Sequence, residues 1–98
     1  MSIFTKYLVC YDIDSDRTRS RFFDALKDLG LVPLQKSVFY GELNPAELRE
    51  LWKMSRKMLD EDTDKCFWIP CSIKTEAMRQ FIGYKNFRYI ASDGFLTV

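Results

Sequence analysis

Tyr7-Leu8-Val9-Cys10-Tyr11-Asp12, followed closely by Asp14-Ser15-Asp16, is the stretch whose reading decides the fold. The apolar run 7–11 is short, aromatic and β-branched. It predicts a strand buried on both faces, which Asp12 ends. Asp14-Ser15-Asp16 then predicts a helix start, with acids in the first turn facing the positive end of the peptide dipole. Phe22, Ala25, Leu26 and Leu29 recur at helical spacing, and Gly30 closes the helix, which runs over roughly 15–29.

Outward from this unit, 31–43 reads as two short strands or one bent ribbon. Pro33 excludes a central-strand place near its start, and Val38, Phe39 and Tyr40 are good strand formers. Asn44-Pro45-Ala46-Glu47 is a complete helix N-terminus: a cap, a proline at the first helical position and a glutamate to close a capping box. Leu48, Leu51, Trp52, Ser55, Met58 and Leu59 form the inner stripe of that helix; Arg49, Lys53, Arg56 and Lys57 lie outside. A polar turn at 60–64 leads to an apolar strand at 66–69, interrupted by Pro70 and resuming through Ile73. Residues 75–81 predict a short helix, and 88–91 and 95–98 two terminal strands about a turn at Ser92-Asp93-Gly94.

The order β-α-β-β-α-β with a tail predicts an α+β, ferredoxin-like domain over 1–98: an antiparallel sheet with two helices on one face. Its other sheet face is bare in a monomer, so a second copy is expected there.

The chain has 98 residues, with 15 Lys+Arg against 14 Asp+Glu, so any nucleic-acid binding must come from a local patch and not from net charge. It has no histidine, which excludes His-based triads and imidazole zinc sites. Cys10, Cys66 and Cys71 are odd in number and lack C-x-x-C spacing, as expected of reduced thiols in a cytoplasmic protein. No apolar run is long enough to span a membrane, and the N-terminus lacks the shape of a signal peptide.

Asp12, Asp14 and Asp16 open like a calcium loop. The sixth position is then Arg17 instead of glycine and the twelfth Phe23 instead of glutamate, so an EF-hand is excluded. Asp12 itself stands where a strand ends beside a helix start, a place where open sheets present functional groups. The alternative is a carboxylate satisfied by helix N-terminal amides. Arg17, Arg19 and Arg21 follow, and Arg17 and Arg21 share a helix face and repel unless an anion lies between them. A phosphate backbone is such an anion, although Asp24 and Asp28 also balance the face. The Arg49, Lys53, Arg56 and Lys57 stripe has the same two readings. Trp52 and Trp68 fall on apolar faces and read as core. The signature of RNA-recognition domains, which share this element order, is missing.

Three stretches together resemble one family: Val9-Cys10-Tyr11-Asp12-Ile13, Arg17-Thr18-Arg19-Ser20-Arg21, and Gln35-Lys36-Ser37-Val38-Phe39-Tyr40-Gly41-Glu42-Leu43. The chain is similar, over 7 to about 74, to the small CRISPR-associated nuclease-fold proteins that partner the CRISPR integrase. The resemblance implies a homodimer packed through its sheets, with 75–98 as a dimerisation tail that can add a strand to the partner's sheet. It implies that Asp12 from both protomers holds one magnesium or manganese ion. The matching positions make Asp12, Arg19, Arg21, Tyr11 and Phe39 the catalytic candidates. With the second-helix stripe, the nucleic-acid candidates are Arg17, Arg19, Arg21, Arg49 and Lys53. Some members cleave single-stranded RNA or duplex DNA; in spacer acquisition the dimer is a scaffold for duplex prespacer DNA and the integrase. A toxin-like ribonuclease of the same fold, acting without an integrase, is the alternative. Many members carry a basic residue two positions before the glutamine of Gln-x-Ser-Val-Phe; here it is Pro33, a loss that bears on cleavage more than on scaffolding.

Two such carboxylates on a two-fold axis repel, and a hard cation relieves that repulsion. Magnesium accepts one or two carboxylates and keeps water on its other positions. Binding duplexes of any sequence needs only phosphate contacts.

Overall fold

Alternation along the first strand, β1 (Thr5–Asp12), decides where the core lies. Val9 and Tyr11 are buried, as is Ile13 just past the strand, whereas Leu8 and Cys10 are half-buried and Asp12 is exposed. β1 is therefore fully covered on one face, not on both as its apolar run predicts. The computed structural model describes residues 3–84 and, in backbone alone, 88–91 and 94–97.

The first helix, α1 (Asp16–Asp28), starts at Ser15, whose hydroxyl accepts from the Thr18 N–H at 3.2 Å. It ends with Leu31 N–H on the Leu26 carbonyl at 3.2 Å and Gly30 N–H on the Lys27 carbonyl at 2.9 Å. This reversal needs Gly30 at φ +97°, which a Cβ would strain. Next come β2 (Val32–Gln35) and β3 (Val38–Leu43), then α2 (Pro45–Met58). The expected capping box of α2 forms: Asn44 Oδ1 accepts from Glu47 N–H at 2.8 Å, and Glu47 Oε1 accepts from Asn44 N–H at 2.9 Å.

With β4 (Lys65–Pro70) the strands make a four-stranded antiparallel sheet in the order β2-β3-β1-β4, the ferredoxin-like arrangement. Pro33 lies on the edge strand β2, where its missing N–H costs no ladder bond. Val9 stands opposite Phe39 on one side and Trp68 on the other, so these three side chains share the helix face. There Val9, Tyr11, Phe22, Leu26, Phe39, Leu43 and Leu51 form the core. Tyr11 meets Phe22 edge-on at 5.2 Å, and Phe23 meets Phe39 at 5.0 Å.

Beyond β4 the sequence reading needs correction. The strand does not resume through Ile73. One further bond runs from Cys71 N–H to the Lys6 carbonyl at 2.9 Å; the chain then leaves the ladder, and Ile73 N–H donates to the Tyr40 hydroxyl at 2.7 Å. The helix expected over 75–81 is a single turn, α3 (Thr75–Met78), whose N-cap Lys74 makes no side-chain cap bond. Nor is the far face of the sheet bare: 71–84 crosses its β2–β3 side, leaving Tyr40 only 1% exposed. Phe67 and Ile69 of β4, on that same face, stay 55% and 47% exposed. β5 (Arg88–Ala91) and β6 (Gly94–Thr97) pair with each other as a separate two-stranded sheet, close to the expected terminal strands. No described helix is long and apolar enough to cross a membrane.

Candidate functional site

Asp12 is the last residue of β1, exposed, with its side chain on the face opposite the helices, as strand alternation from Val9 and Tyr11 requires. Its cross-strand partner is Lys65, also exposed and on the same face. This neighbour escaped the sequence reading because register decides it. A directly opposed Asp–Lys pair is mildly favourable, and it also places a cation beside any phosphate that approaches Asp12.

The turn after Asp12 is tied down from elsewhere in the chain. The Asp64 carboxylate accepts the N–H of Asp14 at 3.0 Å and of Asp60 at 3.0 Å, joining the loop before β4 to the loop before α1. These two backbone bonds hold the Asp64 carboxyl below its ordinary value. Nothing in the local sequence near Asp12 points to Asp64.

Arg19 belongs to that turn as well. Its Nη1 donates to the Ile13 carbonyl at 2.8 Å, and its Nη2 pairs with Asp16 Oδ1. Residues two apart on a helix point to nearly opposite sides, so Arg19 does not join Arg17 and Arg21 in one row. Arg17 and Arg21 are exposed, and with Asp24 and Asp28 they form one stripe along α1. The stripe is positive near the helix N-terminus and negative near its C-terminus, the reverse of what the helix dipole favours. A polyanion beside Arg17 and Arg21 offsets that conflict.

A cleft of ≈ 390 Å³ beside α1 is lined by Tyr11, Arg19, Ser20, Phe23, Asp24 and Lys36. The Tyr11 hydroxyl donates to the Lys36 carbonyl at 3.0 Å. Burial raises that hydroxyl above its ordinary value, the Cys66 thiol adds to the rise, and Arg19 opposes it. Lys36, inside the motif quoted above, was not singled out; its place in the cleft follows from the β2–β3 turn. Phe39 is fully buried against Tyr11 and Phe23, so its ring has no surface to offer a substrate and it stands as a core residue. Arg49 and Lys53 are exposed one turn apart on α2, away from the Asp12 end of β1 in sequence and on the helix layer.

For a divalent cation the donor chemistry of Asp12 is suitable: an exposed hard-oxygen ligand. Among the described residues, however, no three His, Cys, Asp or Glu side chains converge on one point. Magnesium needs only one or two protein carboxylates, its other positions being filled by water, and a second copy would bring a second Asp12.

Comparison with known proteins bears on this arrangement. The sequence model of the CRISPR-associated protein Cas2 family matches residues 5–79. A relative from Korarchaeum cryptofilum, a CRISPR-associated endoribonuclease Cas2, is 34% identical over 82 residues, covering 84% of this chain and 88% of the relative. One of the same designation from Archaeoglobus fulgidus is 41% identical over 64 residues, covering 65% and 68%. Another from Pyrobaculum aerophilum is 50% identical over 44 residues, 45% of this chain and about half (48%) of the relative's length. A hypothetical protein of Thermus thermophilus superposes with a TM-score of 0.66 at 31% identity, over 71% of this chain and 84% of that one. Cas2 of Streptococcus pyogenes superposes at 0.59 with 23% identity, covering 79% and 94%, a likeness of fold alone.

Proposed function

The chain belongs to the CRISPR-associated Cas2 family, and from that membership we propose that it acts in CRISPR adaptation as a homodimeric scaffold, gripping duplex prespacer DNA by its phosphates and docking the integrase. The observation that carries the DNA part is the stripe on α1: Arg17 and Arg21, both exposed, stand near the helix N-terminus against the preference of the dipole. The exposed Phe67 and Ile69, on the face that also carries Asp12, support pairing with a second copy there.

Binding should be measured on two duplexes of unrelated sequence across a range of salt. Arg17→Ala or Arg21→Ala should weaken both about equally and lower the salt slope by about one. A change of sequence preference with an unaltered slope would defeat the phosphate-clamp reading. Arg19→Ala is the less clean probe, because its guanidinium holds the Ile13 carbonyl.

A second reading is metal-dependent hydrolysis of single-stranded RNA or duplex DNA; the endoribonuclease designation of the relatives supports its RNA part. Asp12 of each protomer would hold a magnesium or manganese ion, which when bound supplies an activated water and positive charge at the scissile phosphate. Lys65, opposite Asp12, would bring a cation near the same phosphate.

A further inference from the structure

The last cross-strand pair of β1 and β4 is Asp12 with Lys65, so a further step would set Ile13 against Asp64. Both strands stop short of that pair, and side chains take over from the ladder. Asp64 Oδ1 accepts the Asp14 N–H at 3.0 Å, across 50 residues of sequence. The Arg19 guanidinium donates to the Ile13 carbonyl at 2.8 Å. These two groups belong to one peptide unit, whose carbonyl and N–H point in opposite directions. The peptide immediately after Asp12 is therefore gripped at both poles, by a carboxylate on one side and a guanidinium on the other. Hydrogen bonds to charged partners are the strong and directional ones.

Asp64 is itself held in place. Its Oδ2 accepts the Asp60 N–H at 3.0 Å, and the Thr63 hydroxyl donates to its Oδ1 at 3.2 Å. Both oxygens are engaged by donors of their own chain, which suits Asp64 to hold backbone and not to ligate an ion.

The grip matters because of what Asp12 is asked to do. An exposed strand end frays unless its backbone is bonded. Magnesium demands near-ideal octahedral geometry and takes one or two protein carboxylates, so the direction of each counts heavily. We infer that Asp64 is a positioning residue for cation binding at Asp12: by fixing the Ile13–Asp14 peptide it sets the direction of the Asp12 carboxylate. The inference rests on the metal-dependent reading above and deepens it. Groups that orient a metal ligand tune affinity without touching the ion.

The test measures Mn²⁺ binding to the full-length protein by water-proton relaxation, with urea unfolding alongside. Asp64→Asn offers one acceptor oxygen to two N–H groups. It should weaken Mn²⁺ binding about five-fold or more, with the urea midpoint little changed. Asp62 joins the same turn through its backbone N–H, on Asp60 Oδ1 at 2.9 Å, so Asp62→Asn removes a like charge and keeps that bond. It should stay within about two-fold of wild type. An equal loss in Asp62→Asn overturns the inference, because the effect is then one of charge. A second measurement needs no change at Asp64. Coupling is reciprocal, so saturating Mg²⁺ should slow hydrogen exchange of the Asp14 amide in wild type and leave it unaltered in Asp12→Asn. Exchange indifferent to Mg²⁺ in wild type also overturns the inference. Mn²⁺ binding that is lost in Asp12→Asn but intact in Asp64→Asn overturns this inference alone. Wild-type protein that binds no Mn²⁺ overturns the metal-dependent reading with it.

Discussion

Cys66 lies on the helix face of β4 between Ser55 and the core, and burial pushes its thiol up to about 11 from an ordinary 9.0. The Ser55 hydroxyl pulls it slightly back, and the Cys10 thiol adds to the rise. A group raised in the folded state stabilises fully below its unfolded value and loses that contribution as pH climbs through the folded one. Stability in urea should therefore decline between about pH 9 and 11. Cys66→Ala should flatten part of that decline, and a thiol reagent at about pH 8 should label Cys66 slowly in native protein and quickly in denaturant. Rapid native labelling would mean that the thiol is not desolvated. At this same scale the sequence was least legible. Arg19 reads like its neighbours Arg17 and Arg21, yet its guanidinium closes the β1–α1 turn.

Elements were far more legible, because their boundaries are set by local chemistry. Asn44, Pro45 and Glu47 announce the start of α2, and the two reciprocal bonds form as expected. Asn44→Ala removes one acceptor and weakens the reciprocal bond, so it should cost about 1 kcal/mol in equilibrium unfolding. A cost near zero would mean that water replaces the cap freely. Gly30 and Ser15 delimit α1 with the same clarity, and Pro33 correctly excludes β2 from the middle of the sheet. The third helix fails at this scale: with no side-chain cap at Lys74 and one buried anchor, Met78, the segment from 75 keeps only a single turn.

For the whole molecule, the decisive feature is that Asp12 is one carboxylate per chain on an incompletely covered sheet face. On the proposed reading the site is assembled by two copies. Light scattering at micromolar concentration should show a dimer, and hydrolysis of RNA or DNA should need magnesium or manganese, stop with chelator and vanish in Asp12→Asn. That variant keeps the shape of the side chain while removing the charges that hold a cation. Cleavage surviving in repurified Asp12→Asn would place the chemistry elsewhere. A stable monomer would remove the basis for a shared site.

What the sequence determined by itself is the element order and the ends of α1 and α2. These rest on caps, turns and a period of two or 3.6, all of which act within a few residues. It also brought forward Asp12, because a strand end beside a helix start is visible in one dimension. Tertiary structure alone decided which distant residues meet: Lys65 opposite Asp12 through the β1–β4 register, Asp64 bonded to the Asp14 amide, and 71–84 laid over part of the open sheet face. It alone turned Trp52 outward beside Trp68. Helical periodicity marks an apolar stripe but not where the sheet beneath it ends, and Trp52 stands at that edge.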